Sequence, residues 1–357
     1  MIRRITFILP SFAGGGAERV MIMLANGLDR TRFMPSIIVL QAHGPLREIV
    51  DDDIPIINLN RQRLRHALKP LITVIREAKP YAVIPTMGYV NLCILAIWKM
   101  IGRDIKVIIR EANEVDATIN AIKFPLLGRI LYSCLYPRAS QVITPTRIIS
   151  DDLNKRWKVS EKKLVVLPNP VDVKMLRKQA ILVNRHPGEG KRFVASGRLV
   201  RQKGFDQLIN WLKEMPLDTH VTIFGEGDMK NSLVAQARKL GVVKQVRFAG
   251  FSGNPWGYYA GADAFLLPSR WEGMSNAALE ALAVGTPVIG TPQSGGLSEI
   301  AKVTKSNAVI IANSGAEFVN ALLKAHSENR STLRPSLLPD SFSLDQVNQK
   351  FEQILDS

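Results

Sequence analysis

The segment that decides the fold passes from an apolar run through a small-residue turn to an Ala/Leu-rich stretch: Ala264-Phe265-Leu266-Leu267-Pro268-Ser269-Arg270-Trp271-Glu272-Gly273-Met274-Ser275-Asn276-Ala277-Ala278-Leu279-Glu280. The run predicts a buried strand, and the turn predicts a helix that starts near Ser275 or Asn276. Such a helix start presents backbone N–H groups and the positive end of the helix dipole to an anion. We expect Glu280 on the first helical turn beside that anion and Glu272 on the preceding loop. The alternative is two solvated glutamates flanking an ordinary helix.

Apolar runs alternate with amphipathic helical patterns along the chain, which is typical of parallel, doubly wound sheets. Strands are expected at 5–9, 35–40, 54–59, 82–85, 106–110, 141–144 and 164–167, and the pattern restarts with strands at 192–196, 220–224, 246–249, 264–267 and 287–290. The predicted fold class is α/β, with two Rossmann-like doubly wound parallel-sheet domains facing a central cleft. We place the N-terminal domain at 1–172 and the C-terminal domain at 173–340, joined through a polar segment at 169–190. A helix over 341–357 follows, and packing back on the N-terminal domain is one arrangement open to it.

Length and composition suit two globular domains in a reducing compartment. The 357 residues exceed the usual size of one core, and 46% of them are hydrophobic. No window reaches the roughly 18 uncharged apolar residues of a membrane span, and the N-terminus is too short for a signal peptide. Cys93 and Cys134 lie in apolar segments without metal-ligand spacing, so we expect two buried thiols, and the five histidines suggest no metal cluster. The sequence thus predicts a cytoplasmic protein.

The formal net charge of +16 at pH 7 is spread unevenly along the sequence. Residues 1–180 hold 28 Lys and Arg against 15 Asp and Glu, a net +13, whereas residues 181–357 hold 19 against 16, a net +3. A basic first half is typical of a domain that meets an anionic membrane or a nucleic acid. Three basic segments with interleaved apolar residues could lie at such an interface, or could form core-packing helices with solvated basic faces: 61–76, 123–132 and 155–158.

Three further turns follow predicted strands and carry ligand-type residues. Gly14-Gly15-Gly16-Ala17-Glu18-Arg19 lies between the first strand and the first helix, where a glycine backbone can approach a diphosphate or a sugar. It lacks the G-x-G-x-x-G spacing, so a simple flexible turn is the alternative. The segment 197–204 has the same place in the second half, where Arg198 and Lys203 could clamp a leaving diphosphate or belong to a solvated basic loop. Phe224-Gly225-Glu226-Gly227-Asp228 ends the next strand with another glycine turn.

These motifs together resemble the retaining glycosyltransferases of the two-Rossmann-domain (GT-B) class, family 4. The resemblance rests on Gly-Gly-Gly-Ala-Glu-Arg at 14–19, Gly-Arg-Leu with Lys-Gly at 197–204, Gly-Glu-Gly at 225–227 and the two glutamates eight positions apart, and it spans residues 1 to about 300. Within the family, the short N-terminal arm and the Pro168-Asn169-Pro170-Val171-Asp172 hinge are similar to bacterial enzymes that extend lipid-linked or envelope glycans.

The resemblance implies a role for each matching residue. Arg198 and Lys203 would neutralise the nucleotide diphosphate, with Lys203 exposed in the cleft, and Glu280 would hold ribose hydroxyls. Glu272 would lie by the donor sugar, so the expected catalytic residues are Arg198, Lys203 and Glu272. The full donor-binding set is Gly15, Gly16, Arg198, Lys203, Gly225, Phe251, Glu272, Gly273, Met274, Ser275, Asn276, Ala277 and Glu280. Acceptor contacts are expected from Glu18, Arg110, Glu111 and Asn113.

The family uses no metal, and we expect no cofactor besides the donor substrate. Asp51-Asp52-Asp53 resembles the Asp-x-Asp metal site of the other transferase class, but it precedes a strand and is interpreted as a polar loop end. Ala112 departs from the family pattern, because many relatives have a histidine there that contacts the donor sugar. Either Arg110 or Asn113 takes over that contact, or it is lost. Retention is assigned in the family to front-face departure, in which the leaving phosphate takes the acceptor proton.

The predicted function is transfer of a hexose or N-acetylhexosamine from a nucleotide-diphosphate sugar, expected to be UDP-linked, to a hydroxyl of a lipid-linked or envelope glycan. The expected partners are the nucleotide sugar, a glycan or polyprenyl-diphosphate-linked glycan acceptor, and an anionic surface at the inner face of the cytoplasmic membrane, with no nucleic acid. Two alternatives stay open. One is a non-catalytic or differently reacting nucleotide-sugar-binding protein, of epimerase or phosphorylase type. The other is a nucleic-acid-binding protein, which would leave the glycine turns and paired glutamates unexplained.

Overall fold

Two compact units make up the chain. The computed structural model describes residues 2–120, 124–181, 190–305, 307–327 and 332–357. The first unit comprises Met1–Pro170 together with Leu344–Ser357, and the second comprises Val171–Ser343. Each unit contains one parallel sheet, of seven strands in the first and six in the second.

The first unit alternates strands and helices, as its hydrophobic pattern predicts. Its strands are β1 (Arg3–Ser11), β2 (Phe33–Gln41), β3 (Ile56–Asn58), β4 (Ala82–Pro85), β5 (Lys106–Arg110), β6 (Gln141–Thr144) and β7 (Leu164–Val166). Its first six helices are α1 (Gly16–Asn26), α2 (Leu64–Ala78), α3 (Gly88–Ile101), α4 (Val115–Asn120), α5 (Pro125–Leu135) and α6 (Arg147–Trp157). The sequence pattern did not predict α4 as a helix, because its six residues are too few to show a helical period.

The strand order in the first sheet is β3-β2-β1-β4-β5-β6-β7. Residues 5–9 of β1 are all buried because helices cover both faces of the sheet. One face packs against α2, α3, α5 and α6, and the other packs against α1. The order reverses direction between β1 and β4, so the loops after these two strands leave a gap at the carboxyl edge where ligands bind in open α/β sheets.

The second unit repeats this architecture. Its strands are β8 (Arg192–Ser196), β9 (His220–Phe224), β10 (Val246–Gly250), β11 (Ala264–Leu267), β12 (Val288–Gly290) and β13 (Val309–Ile311). Its helices are α7 (Val173–Ile181), α8 (Phe205–Trp211), α9 (Lys230–Lys239), α10 (Trp256–Ala260), α11 (Asn276–Ala283), α12 (Leu297–Val303) and α13 (Ala316–Lys324). Helix α7 lies in the polar segment expected at 169–190, of which residues 182–189 are outside the described part of the chain.

The strand order in the second sheet is β10-β9-β8-β11-β12-β13, and all of its pairs are parallel. The order reverses between β8 and β11. The loops at 197–204 and 268–275 follow these two strands and therefore flank the switch point of this sheet. Both loops carry residues that the sequence singled out.

The last helix, α14 (Leu344–Asp356), belongs to the first unit although it follows the second in sequence. Its buried residues Val347, Phe351 and Leu355 join the same core as β1, and the Phe351 ring lies 6.1 Å from that of Phe7. The exposed ion pairs of this helix, such as Arg3 with Asp356 at 2.9 Å, add little because water screens them. Apolar burial therefore holds α14 in place.

Two expectations from composition are wrong. Cys134 is exposed and Cys93 is partly buried, because an apolar sequence does not ensure that both faces of a helix are covered.

The difference in net charge between the two halves of the sequence also nearly disappears when charges are counted by structural unit. The first unit holds 26 basic and 17 acidic residues, a net +9, and the second holds 21 and 14, a net +7. The acidic helix α14 and the basic helix α7 each belong to the opposite unit from their half of the sequence.

Candidate active site

An ion pair joins the two loops at the switch point of the second sheet. The ammonium group of Lys203 contacts the carboxylate of Glu272, whose Oε1 also accepts a hydrogen bond from Ser269 Oγ at 2.9 Å. The Lys203 side chain is only 16% exposed and that of Glu272 only 7%. The expectation of an exposed Lys203 is wrong, because Glu272 draws the ammonium inward. Two of the three expected catalytic residues thus lie in direct contact.

Glycines allow the loops of this edge to pack closely. Gly225 has φ +134°, and a Cβ there would overlap the carbonyl oxygen of Gly197. Gly204 has φ +67° and precedes α8, and a Cβ there would overlap the carbonyl oxygen of Pro268. Backbone hydrogen bonds from Leu199 to Glu226 at 2.8 Å and from Gly225 to Gly250 at 2.8 Å continue the sheet into the loops. The residues after β8, β9 and β10 therefore form one layer of backbone.

A second ion pair stiffens the loop that carries Glu272. Arg270 donates from both terminal nitrogens to Asp206 on α8, each at 2.7 Å. This hydrogen bonding lowers the pKa of Asp206 and raises that of Arg270. In contrast, Arg198 is exposed, and no side chain in the described ranges accepts from its guanidinium. Arg198 is therefore available to an anion that reaches this edge.

Helix α11 begins at Asn276, as the sequence predicts, with Ser275 as its N-cap. The Ser275 hydroxyl accepts from the backbone of Ala278 at 3.4 Å. Glu280 is the fifth residue of the helix, so its expected place on the first turn is wrong, and it accepts from Trp256 Nε1 at 3.0 Å. Gly273 and Met274 are buried in the loop before the cap, whereas Asn276 and Ala277 are half-buried on the first turn.

Phe251 follows β10 at the same edge of the second sheet. Its ring is 64% exposed, which is unusual for a large aromatic side chain. Gly253, two residues later, has nothing within 4 Å of a Cβ built on it. An exposed ring beside open space has the form of a platform on which a flat group can stack.

The glycine loop of the first unit precedes α1 at the switch point of the first sheet. Gly15 is the N-cap of α1, with Gly16 as the first helical residue. The Glu18 side chain is 8% exposed and turns back to the helix start, where its carboxylate would overlap a Cβ on Gly15. The absence of a side chain at position 15 leaves room for the Glu18 carboxylate at the start of α1.

The end of β5 carries a buried charged pair. Arg110 is 1% exposed and donates to Asn169 Oδ1 at 2.6 Å, while two of its other nitrogens have no hydrogen-bond partner among the described residues. Glu111 is 2% exposed and accepts from the Tyr136 hydroxyl. Burial raises the pKa of Glu111 to about 7 and lowers that of Arg110 to about 10. Both residues lie inside the first unit, and their acceptor roles stay predictions.

Ala112 and Asn113 follow this pair and are half-buried. The Asn113 backbone forms a hydrogen bond with Glu111, and this bond offsets part of the rise that burial causes in the Glu111 pKa. Because Glu111 is held by Asn113 and Tyr136, the short segment 111–113 has a defined conformation at the carboxyl edge of β5. The structure therefore leaves Asn113, and not Arg110, as the candidate that is partly accessible at the position of the missing histidine.

Sequence reasoning missed several residues that shape these sites. Ser269 holds Glu272, Trp256 holds Glu280, and Asn91 donates to the Arg110 carbonyl at 3.0 Å. The loop 291–296 after β12 was also missed, although Gly295 has φ +57° and packs against the Glu272 carbonyl. Its Gly-Gly pair after a predicted strand was the available signal.

The Asp51-Asp52-Asp53 segment is a turn before β3, where Arg30 pairs with Asp53 at 2.6 Å and with Asp51 at 3.4 Å. The interpretation as a polar loop end agrees with this placement. Within the described ranges, no group of three or more His, Cys, Asp and Glu side chains is arranged to hold a metal ion. Among the same residues, no helix has the length and apolar character needed to cross a membrane.

Comparison with known proteins gives a consistent result. Residues 14–175 match the family described as Glycosyltransferase Family 4, and residues 177–336 match Glycosyl transferases group 1. The N-acetylgalactosamine-N,N'-diacetylbacillosaminyl-diphospho-undecaprenol 4-alpha-N-acetylgalactosaminyltransferase of Campylobacter jejuni subsp. jejuni is 28% identical over 203 residues, 57% of this chain and 55% of that protein. An uncharacterised glycosyltransferase of Haemophilus influenzae is 24% identical over 98% of both chains. This chain spans 55% and 60% of the length of two of its curated relatives.

Solved structures support the fold. The crystal structure of Anabaena HepE in complex with UDP has a TM-score of 0.78 to this chain at 17% identity, covering 99% of each. The predicted fold class of two Rossmann-like parallel-sheet domains is confirmed. By its two matching sequence families and its fold, the chain belongs to the family 4 glycosyltransferases of the GT-B class.

Proposed function

We propose that this protein is a retaining glycosyltransferase that moves a hexose or N-acetylhexosamine from a nucleotide-diphosphate sugar to a hydroxyl of a lipid-linked or envelope glycan. The observation that carries the proposal is the contact of Lys203 with Glu272 at the switch point of the second sheet. A cation and a carboxylate there can serve the diphosphate and the sugar of one donor, and Glu280, on the helix that follows the Glu272 loop, is proposed to hold the ribose.

The proposed reaction breaks the bond between the anomeric carbon and the β-phosphate oxygen. The acceptor hydroxyl oxygen bonds to that carbon on the face that the phosphate leaves, and its proton passes to the departing diphosphate. Arg198 and Lys203 stabilise the charge that develops on the diphosphate. Glu272 is already engaged by Lys203 and Ser269, which suits a residue that positions the sugar better than a free nucleophile.

We propose UDP as the nucleotide and a polyprenyl-diphosphate-linked glycan as the acceptor. Support for UDP comes from the complexes of Anabaena HepE with UDP and with UDP-glucose. Support for the acceptor comes from the Campylobacter jejuni relative, whose name specifies a diphospho-undecaprenol-linked substrate and an alpha linkage. Transfer is proposed to need no metal cofactor, with Arg198 and Lys203 as the cations that would neutralise the diphosphate; undiminished activity in EDTA would support this.

We propose that the protein acts at the inner face of the cytoplasmic membrane, where a lipid-linked acceptor is found. The net charge of +16 supports attraction to anionic lipid. The acceptor is proposed to bind the first unit near Glu18 and Asn113, and the buried Arg110 and Glu111 are proposed to hold the segment that carries Asn113.

A screen of UDP-, GDP- and ADP-sugars tests the proposal most directly. Binding is measured by calorimetry, and release of free nucleotide is measured with and without a polyprenyl-diphosphate-linked glycan. Acceptor-dependent release from a UDP-sugar, with an alpha-linked product by NMR, is the expected result. An isomerised sugar without acceptor would indicate an epimerase, and binding without any turnover would indicate a non-catalytic protein.

A further inference from the structure

Helix α5 is apolar on the side that faces solvent. Leu126 is 74% exposed, and Leu127 and Ile130 are each more than half exposed. Leu131 and Cys134 continue the same side one turn further along. The opposite side is buried through Gly128, Tyr132 and Leu135. A helix with apolar side chains on both sides normally lies inside a protein or at an apolar interface.

The charge around α5 favours an anionic surface. The helix has no acidic residue, and its one charged side chain at pH 7 is Arg129. Asp116 pairs with Arg129 at 3.1 Å and also with Arg156 of the neighbouring helix α6, which links the two helices. Lys155 and Lys158, beside Arg156, are exposed. Exposed cations thus lie on α5 and on the neighbouring helix α6 with the residue that follows it.

The overall charge distinguishes between two occupants of this surface. A second copy of the chain would also carry +16, so pairing of two α5 helices would have to overcome repulsion between the copies. An anionic bilayer attracts the same charge and offers an apolar phase to the leucines. The helix has 11 residues, a length of about 16 Å, which is too short to cross a bilayer but sufficient to lie in its interface.

We propose that α5 is the element by which this protein enters an anionic lipid bilayer, lying flat with Leu126, Leu127, Ile130 and Leu131 in the acyl boundary. The inference extends the membrane location that is part of the proposed function, and it does not depend on the transfer reaction.

Cys134 provides a direct probe of the proposal. It is exposed on α5, whereas burial raises the pKa of the Cys93 thiol to about 11, so a maleimide at pH 7 reacts preferentially at Cys134. An environment-sensitive dye at Cys134 should brighten when vesicles of phosphatidylcholine and phosphatidylglycerol are added, and much less with phosphatidylcholine alone. An unchanged emission with the anionic vesicles would overturn the proposal.

Paired variants test the leucines themselves. The double change Leu126→Glu and Leu127→Glu should weaken vesicle binding about tenfold or more in flotation, because two carboxylates replace apolar contacts with the bilayer. The matched control is Leu217→Glu, since Leu217 is 86% exposed in the second unit. It should float as the unaltered protein does. Equal flotation of the double variant and the control would overturn the assignment to α5.

Two further measurements separate this inference from its rivals. If light scattering shows a dimer that the double variant dissociates, α5 binds a second copy and the proposal is wrong. UDP binding is measured on the same preparations. A double variant that binds UDP but not vesicles supports the role of α5. If neither the unaltered protein nor the double variant binds UDP, loss of vesicle binding in the double variant still supports the role of α5, and the missing UDP binding contradicts the proposed transfer.

Discussion

The ammonium group of Lys203 and the carboxylate of Glu272 form an ion pair between the loop after β8 and the loop after β11. The two residues are 69 positions apart in sequence. Other contacts fix the loop after β11: Ser269 donates to Glu272, and Arg270 pairs with Asp206 on α8. A bound diphosphate would share Lys203 with Glu272. The ion pair therefore links the residue proposed for the phosphate to the residue proposed for the sugar.

Replacing Lys203 by alanine should reduce both transfer and stability. Loss of the cation at the diphosphate should lower kcat/KM by about 100-fold or more. Because Glu272 would remain buried without its counter-charge, the free energy of unfolding should also fall, by about 2 kcal/mol. Steady-state transfer and urea denaturation measure the two effects. The control is Arg201→Ala, which removes an exposed cation from the same turn and should change neither; unaltered transfer by the Lys203 variant would refute the diphosphate role.

Replacing Glu280 by alanine should weaken donor binding more than it affects folding. Removal of a carboxylate that holds ribose hydroxyls should raise the Kd for UDP by roughly 10- to 100-fold, the effect of losing hydrogen bonds to a charged group. Calorimetry with UDP measures this change. Glu280→Gln keeps an acceptor for Trp256 Nε1 and separates the packing of Trp256 from ribose binding. If both variants bind UDP as the unaltered protein does, the ribose assignment is wrong.

Replacing Gly225 by alanine should disrupt the second site through the backbone. The new Cβ would overlap the Gly197 carbonyl at a φ of +134°, so the cost should be roughly 3 kcal/mol and UDP binding should be lost. Gly253→Ala is the matched control, because a Cβ there meets nothing within 4 Å and its φ is not in the glycine region. Thermal unfolding of the two variants side by side checks the prediction, which fails if they unfold at the same temperature.

The variant Glu111→Gln should gain stability relative to the unaltered protein as the pH rises from acidic values to above 7. Burial raises the folded-state pKa of Glu111 to about 7 from the ordinary 4.5, so the folded state holds this proton more tightly than the unfolded state does. The contribution of this bound proton to the free energy of unfolding is complete below pH 4.5 and is lost as the pH rises to 7. A neutral glutamine avoids the loss, so the variant should gain up to about 3 kcal/mol between pH 4.5 and 8 relative to the unaltered protein. Urea denaturation at several pH values measures the difference, and a pH-independent difference would contradict the assigned burial effect.

Much of the fold could be predicted because its strands are short apolar runs bounded by turns. The bounds of β4, β5, β8, β9 and β11 match the predicted ranges, since the apolar runs and the buried segments coincide. Helices α4, α6, α7, α12 and α13 and strand β13 were not predicted. Their length of three to eleven residues gives little periodicity, and neighbouring elements stabilise them through packing.

The candidate site was predictable where local geometry sets it and not where distant segments meet. The cap at Ser275 follows from residues within one turn of it. The burial of Arg110 and Glu111 depends on Asn169 and Tyr136, which lie 59 and 25 positions away from them, so no local pattern could indicate it. Cys134 shows the same limit, because it lies on the uncovered side of a helix whose other side is buried.

The sequence by itself determined the two α/β units, the glycine turns after their strands and the resemblance to family 4, because strand periodicity and turn chemistry act over a few residues. Only the tertiary structure decided that Lys203 pairs with Glu272, that α14 belongs to the first unit and that α5 exposes its leucines. Each of these depends on which surfaces meet after folding. Strand order and the burial of apolar area set that outcome, and a linear pattern does not contain it.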